Sequence, residues 1–433
     1  MFKRKSKVIL DRPQHNVSRK DIDPDTLNVL YHLNRHGYTA CLVGGAVRDL
    51  LLGRKPKDFD VGTTARPNKI RNLFRNSVLI GRRFRLAHIR FGKKVIECST
   101  FRKQPEPVDA TNDEEASLYM HRDNAYGSPK EDALRRDFTI NGIFYDIDSF
   151  KIIDYVGGLA DLKKKLIRTI GDPDVRFCED PVRMLRAIRF AARLGFDIDR
   201  RSWKSILRNH EEILKASPAR LFEEIAKLFV YGAGAESLRY MSKCGLLENL
   251  LPGVSSYLSN AKDKGKLFWR CIEALDKHNA DEQSPSISLV IGTMCFPMFV
   301  HAVEEQQRGR SRANQLAIAR EIVRDICPGL TMPRTTFYHL VYMLNSQRQF
   351  ELWDEKRFSK QGFVKQKSFL DASTLHDIVQ SANGKSIPKT KPWLELYYEC
   401  GADKLDAEQS VRRRKRRPRR YGRHKRPGKQ TPR

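Results

Sequence analysis

Lys57-Asp58-Phe59-Asp60-Val61 sets two carboxylates two residues apart. On an extended strand, residues i and i+2 share a face, so Asp58 and Asp60 are expected to converge while Phe59 and Val61 point into a core. Two ionised carboxylates side by side repel, and a divalent cation is what stabilises such a pair; Mg²⁺ is typically held by one or two carboxylates plus substrate phosphates. Fourteen residues before Asp58 stands Gly44, in the run LVGGAVRDLLLG (residues 42–53). There a strand ends in Gly44-Gly45 and a helix carrying Arg48 follows. Glycines lack a Cβ, so backbone amides can come close to a phosphate. Each pattern alone is weak, since surface D-x-D pairs are common and so are strand–Gly-Gly–helix turns. Their joint occurrence on two strands joined by a short helix places a phosphate site beside a metal site. Glu97, on a later strand, can supply a third carboxylate for two-metal phosphoryl transfer, the plain alternative being an exposed strand glutamate. A third group, Leu134-Arg135-Arg136-Asp137-Phe138-Thr139-Ile140-Asn141, offers guanidiniums, an Asp and an Asn suited to a polyphosphate and a ribose hydroxyl; a salt-bridged helix start is the other reading.

The elements that must position these residues follow from periodicity. Helical spacing is expected at Leu27–His36, Val47–Leu52 and Asn68–Phe74, and strands at Thr39–Val43, Asp58–Val61, Val78–Ile80, Phe84–Phe91 and Lys94–Phe101. Val95, Glu97 and Ser99 share one face of the last strand. Residues 104–132 hold eight acids against two bases, with prolines at 105, 107 and 129, and read as a mobile loop. Ile143–Ile147 and Ile152–Val156 make a hairpin. From about residue 174 the pattern turns helical, with helices expected over Glu179–Leu194, Ser202–Leu214, Pro218–Phe229 and Ala235–Cys244. No internal repeat is visible. The expected fold is α+β: a basic extension (1–24), a mixed head (25–172), a helical neck (173–253), a helical body (254–403) and an Arg-rich tail (404–433).

GGAVRD, DFD, RRDFTIN, Asp154-Tyr155-Val156-Gly157-Gly158 with Asp161-Leu162, and Glu179-Asp180-Pro181-Val182-Arg183 with Arg186 and Arg189 occur in that order. Together they resemble the motifs of the class II nucleotidyltransferases, the bacterial poly(A) polymerases and tRNA CCA-adding enzymes, whose head is related to that of DNA polymerase beta. The resemblance runs from about residue 40 to 253. Leu79–Ile89 (LIGRRFRLAHI), Pro181–Leu194 and Pro218–Phe229 resemble the poly(A) polymerase branch, and no HD-type metal motif is present. Carried over, the resemblance implies that Asp58 and Asp60 hold catalytic metals, Mg²⁺ or Mn²⁺. Gly44, Gly45 and Arg48 would meet the triphosphate of ATP, Arg136 and Asn141 the nucleotide, and Asp137 and Glu97 would join the catalytic set. Asp180, Arg183, Arg186 and Arg189 would line the nucleotide pocket. Asp180 and Arg183, three apart on one expected helix, offer an acceptor beside a donor. That pair matches adenine and equally cytosine, and rejects guanine and uracil. His88, among Arg82, Arg83, Arg85 and Arg90, is either an RNA or triphosphate contact or a packed structural histidine.

Of 433 residues, 31% are charged and 40% belong to the AVILMFWYC set, a globular composition, and the net charge is +29. Residues 411–433 carry +13 of this and residues 1–20 carry +6. The tail, including Arg413, Arg414, Lys415, Arg416 and Arg417, is expected to be disordered and to bind a polyanion with strong salt dependence. A nuclear address fits its composition as well. Ile287–Val300, the longest mostly apolar run, is too short to span a bilayer and reads as a buried helix. The residues after basic Phe2–Lys7 lack an h-region, so no signal peptide is expected. The eight cysteines never lie closer than 24 residues apart, which excludes a CxxC knuckle and points to reduced thiols in a cytoplasmic protein. The resemblance implies a monomeric enzyme that adds adenylate from ATP to RNA 3′ ends (mRNA, small RNA or tRNA) without a template, releasing pyrophosphate, with RNA-decay proteins as partners. The rivals are a CCA-adding enzyme and a non-catalytic RNA-binding protein on a decayed head; intact Asp58, Asp60, Arg136 and Asp137 argue against decay.

Overall fold

The computed structural model describes residues 7–81, 85–103, 125–260, 265–280, 285–308, 314–330, 332–385 and 390–402. The chain forms two compact units. The first holds Met1–Ser256 with Asn279–Ser284 and Cys327–Thr331; the second holds Tyr257–His278, Pro285–Ile326 and the chain from Met332 onward. The expected head and neck are therefore parts of one unit.

That unit is built on a sheet of eight strands: β1 (Val8–Leu10), β2 (Ala40–Val43), β3 (Asp60–Thr63), β4 (Ser77–Ile80), β5 (Leu86–Phe91), β6 (Lys94–Thr100), β7 (Ile143–Asp146) and β8 (Lys151–Asp154). Their order is β1-β8-β7-β2-β3-β6-β5-β4, antiparallel throughout except for β3 beside β6. Register is what matters for the site. Phe144 pairs with Val43, Val43 with Asp60, Asp60 with Glu97, Glu97 with His88 and His88 with Val78. Directly opposed residues point to one face. One transverse row thus passes from buried Phe144 and Val43, through the two carboxylates, to exposed Val78.

The helices that frame this row are α1 (Pro24–Arg35), α2 (Gly45–Leu51), α3 (Pro67–Leu73), α4 (Pro129–Arg135), α5 (Gly158–Lys163), α6 (Pro173–Glu179), α7 (Val182–Leu194), α8 (Arg200–Asn209) and α9 (Pro218–Leu228). Ala133 of α4 packs into a cluster with Cys41, Val43, Phe101 and Phe144, closing the buried half of that sheet face. The helix α7 buries Val182, Leu185, Ile188, Ala191 and Leu194 and leaves its arginines on the other side, a stripe of the 3.6-residue period.

Four expectations are corrected. Val8–Leu10, assigned to an N-terminal extension, is an edge strand paired with β8. Asp58 lies ahead of β3 rather than on it, so strand geometry does not set its direction. The expected helix Glu179–Leu194 is two helices: Asp180 is extended (φ −145°, ψ 90°) because the following Pro181 disfavours helical backbone there. The expected loop 104–132 ends early, since Ser128 and Glu131 form a capping box that starts α4; residues 104–124 lie outside the described residues.

The second unit is helical. Its core includes Phe268, Met294, Leu340, Phe350, Phe369 and Trp393. Its longest helix, Ile287–Arg308, extends past the expected Val300 and contains Pro297. By length and composition alone this helix could cross a membrane, but 56% of its apolar window is buried.

Candidate active site

Asp60 stands at the first position of β3, between Val43 and Glu97 of the neighbouring strands. Its carboxyl is pushed up to about 6. Burial is the main cause, with the charges of Glu97 and Asp58 adding to it and Arg136 opposing. A buried carboxylate surrounded by others is what a divalent cation relieves, and the donors offered are all oxygens. The residues present therefore fit such an ion. Among the described residues no three His, Cys, Asp or Glu side chains form a ready-made cage. The structure brings Glu97 beside Asp60 without joining them in a three-carboxylate cluster; Glu97 is half exposed, and its Oε1 is 3.5 Å from His88 Nε2.

Asp58 and Asp60 open on a cleft of about 250 Å³ whose walls include Gly44, Gly45, Lys57, Arg136, Asn141 and Arg186. Gly44 is the N-cap of α2, with φ 74° and ψ −138°, a backbone state that L side chains rarely adopt. A Cβ there would sit 3.1 Å from Arg136 Nη1 and 3.7 Å from Asp60 Oδ2. Gly44→Ala combines backbone strain of roughly 1–3 kcal/mol with a narrowed cleft. The expected outcome is a nucleotide affinity at least about tenfold weaker with the fold retained, read by isothermal titration with ATP and by circular dichroism.

The arginine pair of the third motif is positioned by carboxylates. Asp132 accepts from Arg135 Nε (2.9 Å), from Arg136 Nε (3.1 Å) and from Arg136 Nη2 (2.9 Å). Arg136 also lies over the Phe144 ring at 5.3 Å, and its Nη1 is 3.5 Å from the Asn141 carbonyl oxygen. Arg176 of α6, absent from the sequence-based set, donates to the Arg136 carbonyl at 2.9 Å.

Three expected site residues are tied into one hydrogen-bond network at the cleft floor. Arg48 is 2% exposed; its Nε and Nη2 both reach Asp49 Oδ1 at 2.8 Å, and its Nη1 donates to Asn141 Oδ1 at 2.7 Å. It lines the cleft while bonded to Asp49 and Asn141, so these contacts fix its guanidinium on the cleft floor. Asn141 passes the chain on, donating from Nδ2 to Asp137 Oδ1 at 3.0 Å. The Asp137 Oδ2 takes Arg186 Nε (2.8 Å) and Nη2 (2.7 Å), and Oδ1 takes the Phe138 amide (2.8 Å). Burial alone would raise the Asp137 carboxyl, but the Arg186 guanidinium with these hydrogen bonds holds it well below the usual carboxylate range. With every acceptor occupied, Asp137 positions rather than reacts.

On the neck side, Arg189 Nη1 reaches Glu224 Oε2 of α9 at 3.0 Å, and burial, only partly offset by Glu224, lowers its guanidinium to about 10. Arg48, Arg186 and Arg189 surround the Phe190 ring at 5.0, 5.4 and 5.0 Å. Phe190 was missed, although an aromatic four residues after Arg186 was its signal. Arg193 also lines the cleft and donates to Asp49 Oδ2 at 3.2 Å. The expected base-reading pair is not side by side on one helix. Asp180 meets Arg220 of α9 through two contacts, at 3.0 and 3.1 Å, while Arg183 Nη1 donates to the Arg176 carbonyl at 3.0 Å. Arg85 is exposed ahead of β5; Arg82, Arg83 and Arg413–Arg417 lie outside the described residues. The D-Y-V-G-G motif is a brace: Asp154 accepts from the amides of Val156, Gly157 and Leu159, and Asp161 Oδ2 accepts from Thr139 Oγ1 at 2.7 Å.

Comparison with known proteins adds the family. A model described as "Poly A polymerase head domain" matches residues 40–168, and one described as "Probable RNA and SrmB- binding site of polymerase A" matches residues 195–258. The chain is 39% identical to poly(A) polymerase I of Escherichia coli O6:H1 over 95% of its length and 92% of that protein's. It is 35% identical to a CCA-adding enzyme of Bacillus velezensis over 53% of its length and 56% of that enzyme's. In fold it is similar to the Bacillus stearothermophilus CCA-adding enzyme solved with CTP, with a TM-score of 0.58, 24% identity, and coverage of 88% of this chain and 83% of that one. A paired-aspartate cleft on a mixed sheet, the ordered motifs around it and similarity along nearly the whole chain lead to one conclusion: this protein belongs to the nucleotidyltransferase family of bacterial poly(A) polymerases and CCA-adding enzymes.

Proposed function

We propose that the protein adds adenylate to RNA 3′ ends without a template, taking ATP and releasing pyrophosphate, in RNA polyadenylation and turnover. The observation that carries this reading is coverage. Sequence similarity to the poly(A) polymerases runs through both units, whereas sequence similarity to the CCA-adding relative covers only about half of the chain. Asp58 and Asp60 would hold Mg²⁺, or Mn²⁺, which when bound supplies charge neutralisation at the reacting phosphate and activation of the attacking hydroxyl. The chain's own residues do the positioning. Gly44 leaves room for close approach, Arg136 offers a guanidinium fixed by Asp132, and Phe190 lines the cleft beside Arg48 and Arg186. The helical region after α7 would take the RNA, in keeping with the matched description.

An extension assay tests this. An unstructured RNA and a tRNA lacking its CCA end are each supplied with ATP or CTP alone. Long ATP-only products on the unstructured RNA are expected, with little CTP incorporated. Products that stop after C, C and A on the tRNA would replace this reading with CCA addition. Base selection is tested in the same assay. Asp180→Ala should relax discrimination against GTP and UTP by about tenfold or more, since a paired contact of this kind carries roughly 1–3 kcal/mol. Arg220→Ala should do the same, because Arg220 is what orients the Asp180 carboxylate.

A further inference from the structure

Beside the nucleotide cleft lies a second, larger hollow of about 690 Å³. The stretch ahead of α1, the loop after α2 and the start of β6 build it. The two hollows share Lys57 and Asp58. Asp58 therefore stands between them, exposed to both. We propose that this hollow seats the 3′-terminal nucleotides of the acceptor RNA. The inference rests on the RNA-extension reading and specifies where the acceptor enters.

In-line displacement requires the attacking and leaving oxygens on opposite sides of the phosphorus, so the two substrates must approach a shared carboxylate from different directions. The cleft of Gly44 and Arg136 is one approach, and the hollow is the other. Its lining includes the apolar Ile22, Pro56, Phe59 and Val95, the last 43% exposed. A base laid on such a lining beside Phe59 gains stacking energy that does not depend on its identity, about 1–3 kcal/mol for an aromatic platform. The volume lies within the range of roughly 300–1,000 Å³ usual for small-molecule sites, enough for about one or two nucleotides.

The rim supplies the charge. Lys20, Arg54, Lys55 and Lys57 are exposed around the opening. Of the lining acids, Asp23 caps α1 and, with neighbouring Asp25, holds Lys94 Nζ at 2.6 and 2.7 Å; Asp21 and the shared Asp58 are the others. Lys20 and Lys55 make no ion pair among the described residues, so a net positive rim faces solvent. The strap carrying Lys20 is fastened at β1, at His15 to the Phe150 carbonyl (3.0 Å) and at Asn16 to the Leu50 carbonyl (3.4 Å). The hollow is thus a fixed feature of the head rather than a gap beside a loose end.

The test is the double variant Lys20→Glu/Lys55→Glu in the full chain, with steady-state kinetics and salt titrations of RNA binding. The KM for an unstructured RNA should rise about tenfold or more at low salt, and the log–log salt slope should flatten by about 1.4, or about 0.7 per lost phosphate contact. The KM for ATP and kcat at saturating RNA should stay within about twofold. In parallel, an RNA with 4-thiouridine at its 3′ terminus is photocrosslinked to the wild-type protein, and adducts are expected on the strap, on Phe59 or its neighbours, or at the start of β6. An unchanged RNA KM, or adducts only elsewhere in a protein that still extends RNA, overturns this siting and leaves the extension reading in place. A wild-type protein that extends no RNA yet crosslinks in the hollow would overturn the extension reading and keep the site.

Discussion

Asp60→Asn is expected to abolish nucleotide addition and leave the metal-free fold as stable as before, or more so. The loss should be on the order of 10³-fold or greater, because a metal's charge stabilisation in phosphoryl transfer is worth several kcal/mol and each 1.36 kcal/mol is tenfold in rate. The stability expectation comes from the carboxyl's position. Its folded value of about 6 lies above its ordinary 3.8, so the folded state favours the protonated form. The unfavourable contribution is absent below about pH 4 and grows as pH rises through about 6. A neutral amide removes it. Thermal melts without divalent ions at pH 7.5 beside a gel-based extension assay decide the matter: a variant keeping more than about a tenth of the rate would sink the metal assignment.

Asp137→Ala should move stability the other way, by about 3 kcal/mol, because it strands a largely buried Arg186 without its partner. Activity should fall with it, since Asp137 also anchors Asn141 and through it Arg48 on the cleft floor. The pH dependence has a definite sign. The folded carboxyl is held below its ordinary range, so its contribution is complete above about pH 4 and lost as pH falls further. Urea unfolding of both proteins should show a full difference at pH 7 that narrows below about pH 4. Asp137→Asn, which keeps an acceptor but loses the charge, should fall between them. A constant difference across this range would mean the ion pair is not what Asp137 contributes.

The strands that carry Asp60 and Glu97 were legible in sequence because alternation and glycine punctuation are local signals. So were the glycine pair and the arginine run of α7. What escaped was set by tertiary partners. Val8–Leu10 is three residues long and exists as a strand only because β8 offers an edge. The place of Arg48 one turn into a helix did not show that Asn141, 93 residues away, holds its guanidinium. Asp180 and Arg183 are three apart in sequence, yet Pro181 breaks the helix between them and Arg220, 40 residues on, claims the carboxylate. Spacing predicts who shares a helix face, and it cannot say which distant side chain arrives there. The larger of the two hollows reaches from Asp58 and Phe59 away from the other motifs, and its strap has no motif of its own.

The pairing of β1 with β8 also fixes when, during synthesis, this enzyme can come into being. Val8 meets Asp154, and the central strand β2 waits for β7 on one side and β3 on the other. Such long-range pairings make folding slow, since the entropy of closing large loops comes before the contacts that reward it. At roughly 5–20 residues per second of translation, the first strand leaves the ribosome many seconds before its partner. Even then the cleft lacks a wall, because Arg186 and Arg193 arrive only with α7. A chain cut short before that helix would carry Asp58 and Asp60 and is expected to remain inert.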